Sequence, residues 1–203
     1  MTSMAWLDSL AVIAPDPVAA YRNIDAGKLI TVRREIRRRM TTGAAPSIVP
    51  QLGALADALD AIVARLPQPA FDEPGGEGDW TVAEAIGHDA HARGGLALAG
   101  ALAAAGRWPA RTPPVVPGVP GARGTSREHL RARIVASQRV IERAARSIEG
   151  HETDPCPLEH PLVGRLRCGE WLLFAGVHDL MHLEQLHEIE AKFQTRTTPG
   201  TWA

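Results

Sequence analysis

The chain has very little of what marks secreted or membrane proteins. Its two cysteines, Cys156 and Cys168, are too few for the disulfide framework of a secreted protein, which favours a reducing cytoplasm. The longest apolar run, LALAGALAAAG, is about half of what a bilayer requires. The N-terminus has no basic segment followed by a long apolar stretch, as a signal peptide would. We therefore expect a soluble cytoplasmic protein.

Excess charge of either sign is also missing. The formal net charge is -1, and acidic and basic residues are mixed along the chain. The basic run VRREIRRRM, residues 32–40, is a local exception, and a solvated helix face explains it most simply. A general nucleic-acid binder would show a basic balance. The sequence therefore predicts neither nucleic acid nor membrane as a partner.

Convincing strand alternation is absent as well, and apolar residues recur at helical spacing almost everywhere. The chain of 203 residues, 45% of them hydrophobic, is long enough for one good core and short for two. We predict an all-α fold, a four-helix bundle with one additional N-terminal helix. The predicted helices cover residues 17–40, 48–66, 81–105, 125–150 and 170–193.

Three segments follow from this pattern. Residues 1–46 form an N-terminal extension with an accessory helix, residues 47–195 form the bundle, and residues 196–203 are a C-terminal tail. The apolar stripe of the accessory helix is broad enough to need covering, either by the bundle or by a second copy of the chain. A homodimer is therefore a possible assembly.

Two helix starts carry capping boxes, in which a Ser or Thr is followed three residues later by Glu or Gln. The pairs are Thr81 with Glu84 and Thr125 with Glu128. Between these helices, the crossover of residues 107–124 is rich in Pro and Gly, and its 18 residues, at up to ~3.3 Å each, could cross the whole bundle. Because helices joined by such a crossover can run parallel, we predict a bundle that is not simply up-down-up-down.

Three histidines are the strongest indication of function. His178 and His182 are four residues apart, so they project from one face of the last helix about one turn apart. His88 lies on an inward stripe of the third helix, together with Trp80, Glu84, His91 and Gly95. Three imidazoles around a divalent ion leave one coordination position open, as in catalytic rather than structural sites.

Several neighbouring residues allow more than one interpretation. Glu84 could orient a metal ligand, but its capping box explains it without chemistry. Gln185, one turn beyond His182, is a candidate second partner of the site, and His91 is either a pocket-lining donor or an ordinary neighbour of His88. Asp179 makes HDLMH similar to the HExxH motif of metalloproteases, but its carboxylate is shorter and lies on another face of the helix.

The segment DWTVAEAIGH, followed by HPLVGRLRCGEWLLFAGVHDLMHLEQL, resembles the DinB/YfiT superfamily of metal-binding four-helix bundles. The resemblance covers about residues 48–193. It implies an up-down-down-up bundle in which His88, His178 and His182 bind zinc or nickel. The last helix departs from the family pattern at its start, where a capping Thr is common and this chain has Arg167, Cys168 and Gly169.

Characterised members of that superfamily include bacterial thiol S-transferases and a mycothiol-dependent isomerase. The resemblance thus implies a metal-dependent enzyme that joins a low-molecular-weight thiol, such as mycothiol, to a small electrophile. Two alternatives remain: a non-enzymatic bundle that binds a metal or a ligand, and a hydrolase or isomerase with the same metal site.

Overall fold

The computed structural model describes residues 5–24, 29–76, 78–112 and 115–197. The helices are α1 (Ala5–Ile13), α2 (Pro15–Tyr21), α3 (Leu29–Arg39), α4 (Ala45–Arg65), α5 (Val82–Ala104), α6 (Arg127–Ile148) and α7 (Cys168–Thr197). A short 3-10 helix spans Gln68–Asp72, and two strands, β1 (Pro155–His160) and β2 (Gly164–Arg167), form a hairpin. The all-α expectation is confirmed for the bulk of these residues.

Helices α4 to α7 form a four-helix bundle with the predicted directions. The pairs α4 with α7 and α5 with α6 run parallel; for example, Arg93 contacts Ser137, and further along both helices Gly100 lies against Ile148. The pairs α4 with α6 and α5 with α7 run antiparallel, since Arg93 meets Asp179 while Gly100 meets Cys168. This is the up-down-down-up order, with the Pro-rich crossover joining the parallel pair.

The N-terminal extension corrects one prediction. The single helix expected over residues 17–40 is two helices, α2 and α3, and α1 precedes them. Helix α2 ends at Tyr21, followed by a turn in which the Asn23 side chain donates to the Ala19 carbonyl oxygen and its own carbonyl oxygen accepts from Thr31. The hydrogen bond of the Asn23 side chain to the backbone is a local alternative to the helix. All three helices lie on the bundle, where Leu7, Val32 and others are fully buried.

The β1–β2 hairpin is a second correction, because no strand was predicted. Along β1, the buried side chains are those of Cys156, Leu158 and His160, which alternate with more exposed ones. An alternation of only three inward positions, two of them Cys and His, is too short to be recognised as an apolar strand pattern. The hairpin packs on α5 and leads directly into α7.

Helix starts are partly as predicted. Helix α5 has its capping box: Thr81 Oγ1 accepts from the Glu84 backbone N–H, and the Glu84 carboxylate accepts from the Thr81 N–H. For α6 the prediction was wrong by one residue, because Ser126, not Thr125, accepts from the N–H of His129. Thr125 donates instead to the carbonyl oxygen of Ala122. Such shifts of one residue are common when neighbouring side chains can both cap.

The start of α7 lacks the capping Thr that the resemblance led us to expect, and a carboxylate takes part there instead. The Glu170 carboxylate accepts from the backbone N–H of Arg167, as the Glu of a capping box would. The same carboxylate, fully buried, accepts from the Arg37 guanidinium of α3. The N-terminal extension thus helps to fix the helix that carries two of the three histidines.

One described helix, α4, has the length and apolar composition of a membrane span, with a mean hydropathy of 1.4. Its apolar face lies in the bundle, packed on α6 and α7, and buries Leu52, Leu55, Leu59 and Ile62. A core helix passes the same test of composition, and this placement is consistent with the expected soluble protein. The predicted C-terminal tail lies outside the described residues from residue 198 onward.

Candidate metal centre

The structure brings the three predicted histidines together between α5 and α7. Their ring centroids are 5.2 Å apart for His88 and His178, 5.5 Å for His88 and His182, and 4.6 Å for His178 and His182. One ring nitrogen of each lies within 4.8 Å of the others, a spacing at which all three can bind one ion. His182 is buried, and His88 and His178 are partly exposed.

The other ring nitrogen of each histidine has an oxygen acceptor. His88 Nδ1 donates to the Val119 carbonyl oxygen at 2.7 Å, His178 Nδ1 to Asp89 at 3.1 Å, and His182 Nδ1 to the Gln185 amide oxygen at 2.8 Å. A ring that donates through Nδ1 presents the lone pair of Nε2 when it is neutral. The Nε2 atoms of His88 and His178 are only 3.3 Å apart. Three imidazole nitrogens with this spacing suit a divalent cation.

The Pro-rich crossover supplies the acceptor for His88. On one side of Val119, the Val116 N–H donates to the Glu159 carbonyl oxygen of β1, and on the other side the Gly121 N–H donates to that of Glu84 in α5. A Cβ at Gly121 would lie 2.7 Å from the Glu84 carbonyl oxygen, so only glycine allows this approach. A backbone carbonyl cannot be recognised from residue type, and sequence reasoning missed it.

Asp89 is the functional residue that sequence reasoning missed most clearly. Its carboxylate is 1% exposed; Oδ1 accepts from His178, and Oδ2 has no hydrogen-bond partner among the described residues. Burial alone would raise the pKa of Asp89, but the hydrogen bond from His178 and the nearby positive charges, Arg93 included, outweigh it and lower the pKa. An ionised Asp89 fixes the ring orientation and raises the basicity of His178.

A buried ion pair holds the site from behind. Arg93 donates through Nε to both oxygens of Asp179 at 2.9 Å, through Nη1 to Ser137, and through Nη2 to the Leu52 carbonyl oxygen. Both charged side chains are 0% exposed. Arg93 therefore connects all four helices of the bundle at the level of His178. Both carboxylate oxygens of Asp179 are engaged by this pair.

Glu84 acts as a cap and not as a ligand. Besides Thr81, its carboxylate accepts from the guanidinium of Arg123 in the crossover. The pKa of Glu84 is lowered, mainly by the hydrogen bond from the Thr81 backbone N–H and further by the contact with Arg123. Among the described residues, the group that could hold an ion at His88 contains only the three histidines.

The stripe of α5 residues predicted to face the bundle interior is only partly buried. Trp80 lies beside His88, with ring centroids 5.0 Å apart, but His91 and Gly95 are exposed. Both line a cavity of about 560 Å³ that also reaches His88 and His178. Gln185 lies on the opposite side of the histidines, beside a cavity of about 10 Å³, which is roughly the space of one water molecule.

Apolar side chains of α5, the crossover, the hairpin and α7 form most of the wall of the large cavity, among them Leu96, Leu102, Val116, Leu158, Phe174 and Met181. Among the described residues of this wall, His160 is the one polar residue that is buried. It lies edge-on to Phe174, with centroids 4.7 Å apart, and burial lowers its pKa to about 4. Its Nδ1 accepts from the Leu162 N–H, as only an unprotonated nitrogen can. No functional role was predicted for His160.

Comparison with known proteins identifies one family. Residues 51–186, about two thirds of the chain, match the model of the DinB superfamily. The matched segment begins in α4, ends in α7 and contains all three histidines. No curated protein and no solved structure matches the chain.

Proposed function

The chain belongs to the DinB superfamily, and from this premise we propose that it is a metal-dependent thiol S-transferase. The observation that supports the proposal most strongly is the geometry of His88, His178 and His182. Each ring has its Nδ1 engaged by an acceptor, and the group faces an apolar cavity large enough for a small molecule.

Zinc is the proposed ion, with nickel as the alternative. Zinc prefers four ligands in a tetrahedron, and catalytic zinc sites commonly combine three protein ligands with one exchangeable position. When bound, such an ion would supply a positive charge that three neutral imidazoles do not cancel, which favours an anionic ligand and lowers the pKa of a thiol. Asp89 and Gln185 would hold two of the rings in the orientation that this requires.

The proposed cosubstrate is a low-molecular-weight thiol of the mycothiol type. Only two of the 22 basic residues are lysines and alanine is abundant, which suggests a GC-rich genome and makes mycothiol the first thiol to test. In the transfer, the thiol gives its proton to solvent and its sulfur forms a bond to the electrophilic carbon. The bond from that carbon to the leaving group breaks, and the leaving group departs with the electron pair.

The chain's own cysteines are poor nucleophiles. Cys156 and Cys168 are both buried and form no disulfide. Burial raises the pKa of both thiols, that of Cys168 to about 12. The thiolate is the reactive form of cysteine, so neither side chain competes with an external thiol at neutral pH. The cytoplasm, which we propose as the location, also keeps the cosubstrate reduced.

Metal content and thiol dependence test the proposal together. We expect one divalent ion per chain in the wild type and none in His178→Ala, whereas His129→Ala, an exposed histidine of α6, keeps the full content. Mycothiol, bacillithiol, glutathione and cysteine are then compared with monochlorobimane as electrophile. Turnover should require both metal and one of the thiols, and should fall by orders of magnitude in His182→Ala.

Other outcomes distinguish the alternatives. Turnover of an ester with metal but without thiol would indicate a hydrolase. Stoichiometric metal without any turnover would favour a binding protein. A doubly substituted Cys156→Ser, Cys168→Ser protein should remain active; if it keeps its metal and fold but loses activity, the nucleophile belongs to the chain and the proposed cosubstrate is wrong.

A further inference from the structure

The large cavity is chemically unlike the rest of the site. At about 560 Å³ it lies in the range of small-molecule pockets, and it reaches two of the three histidines. None of the described residues that line it is Asp, Glu, Lys or Arg. Apart from His88 and His178, its polar side chains are His91, Thr112, His160 and the indole of Trp108.

From this lining we propose that the cavity binds the apolar, uncharged part of the substrate and that Gly95 determines how large this part can be. The inference rests on the proposed function, because it assigns the cavity to the electrophile. Away from the histidines, a charged group would lose its hydration in the cavity without meeting an opposite charge among the described lining residues, and this loss is costly. An apolar group would gain by leaving water in proportion to the area it buries.

The rim of the cavity supports this assignment. Four large apolar side chains are 42 to 53% exposed around it: Leu98 on α5, Val115 and Val119 on the crossover, and Leu162 on the hairpin turn. They come from three separate segments of the chain and converge on one opening. An apolar ligand in the opening would cover part of this exposed surface, so its binding area extends beyond the cavity itself.

Gly95 has no structural need to be glycine. Its φ is not positive, and a Cβ built on it would meet nothing within 4 Å outside its own stretch of helix. By contrast, a Cβ at Gly100, five residues later on the same helix, would lie 2.3 Å from the Cys168 carbonyl oxygen. Glycine is the weakest helix former after proline, so its use at an unobstructed position needs another reason. The space left beside Gly95 is part of the cavity, and a larger side chain there would occupy it.

Displacement of the neutral fluorescent dye N-phenyl-1-naphthylamine from the metal-loaded full chain tests the inference. The competitors are primary alcohols with four to eight carbons and alkyltrimethylammonium ions of the same chain lengths. Affinity for the alcohols should increase about fourfold for each methylene. The ammonium ions should bind at least tenfold more weakly than the alcohols of equal length. Equal binding of the two series would overturn the assignment.

Three variants locate the binding. Gly95→Leu should weaken dye binding at least tenfold, with Gly95→Ala between it and the wild type. Leu98→Asp places a charge on the rim and should also weaken dye binding at least tenfold. Val135 is an apolar residue of α6 that lies outside the cavity and is similarly exposed, so Val135→Asp should leave dye binding unchanged. The aspartate pair decides the question if Gly95→Leu does not fold. Dye binding that is unchanged in Leu98→Asp would place the ligand elsewhere.

The two proposals fail separately. Dye and alcohol binding with the expected dependence, but no thiol transfer, would leave the cavity assignment intact and reject the reaction. Thiol transfer with unchanged electrophile KM in Leu98→Asp would support the reaction and reject the cavity as its binding site.

Discussion

The two sides of the histidine group reverse the usual distribution of residues, in which charged side chains face water and apolar side chains are buried. Behind the histidines, the charged side chains of Asp89, Arg93 and Asp179 are almost completely buried. In front of them, the open cavity is lined by apolar residues. Buried charges with fixed partners hold the imidazoles and helices in place. The open side leaves room for a ligand that exchanges.

The buried ion pair should give the largest change in stability. Replacing Arg93 by Met leaves Asp179 buried without its guanidinium partner, and such losses typically cost about 3–5 kcal/mol. The double variant Arg93→Met, Asp179→Leu should recover much of this cost, because the unpaired charge at position 179 is removed as well. Urea unfolding of both variants measures the difference.

The partly exposed pair Arg131–Asp60, with a similar N–O distance of 2.7 Å, provides the matched control. Arg131→Met should cost no more than about 1 kcal/mol, because water screens this pair. If Arg93→Met cost as little stability as Arg131→Met, the buried charges behind the histidines would not be a rigid support for the site.

The open side should respond to pH through His160. Its pKa is lowered to about 4 in the folded protein, below the usual 6.5, so the unfolded chain binds more protons between these values. The contribution of His160 to the free energy of unfolding is therefore fully present above pH 6.5. It is lost as the pH falls toward 4, by up to roughly 3 kcal/mol.

In His160→Phe, which keeps an aromatic ring beside Phe174, the pH dependence of the unfolding free energy should be flatter over this interval. Urea titrations at several pH values measure it in both proteins. Identical slopes would show that His160 stays accessible to protons and that the wall is not as dry as its contacts indicate.

Much of this arrangement could be predicted from sequence, and the missing parts have a common physical cause. Helical periodicity gave the four bundle helices, and the spacing of His178 and His182 gave one face of α7. The roles of Asp89 and Arg93 were missed because charged residues on a helix usually face water. These two are buried only because of the helices that pack against them. A buried charge is recognised by its partner, which lies about 90 residues away in the sequence.

Asp89 should affect metal binding more than stability. Asp89→Asn keeps the size of the side chain but removes the negative charge that accepts from His178. Loss of such a partner typically lowers metal affinity by about 10- to 100-fold. Competition with a zinc chelator measures the change. As control, Asp154→Asn alters an exposed carboxylate that also contacts a histidine, His151, and should leave zinc affinity unchanged.

The smallest expected effects are those of substitutions at two glycines of α5, Gly95 beside the open cavity and Gly100 in a packed part of the bundle. Gly95→Ala adds a methyl group to open space and should stabilise the protein by about 0.4–1 kcal/mol, because alanine favours the helix and restricts the unfolded chain. The same change at Gly100 forces the methyl group against the Cys168 carbonyl oxygen and should destabilise it by about 1–3 kcal/mol. Thermal unfolding distinguishes the two signs. If both variants lost stability, the space beside Gly95 would be occupied in solution, and its glycine would serve packing rather than the cavity.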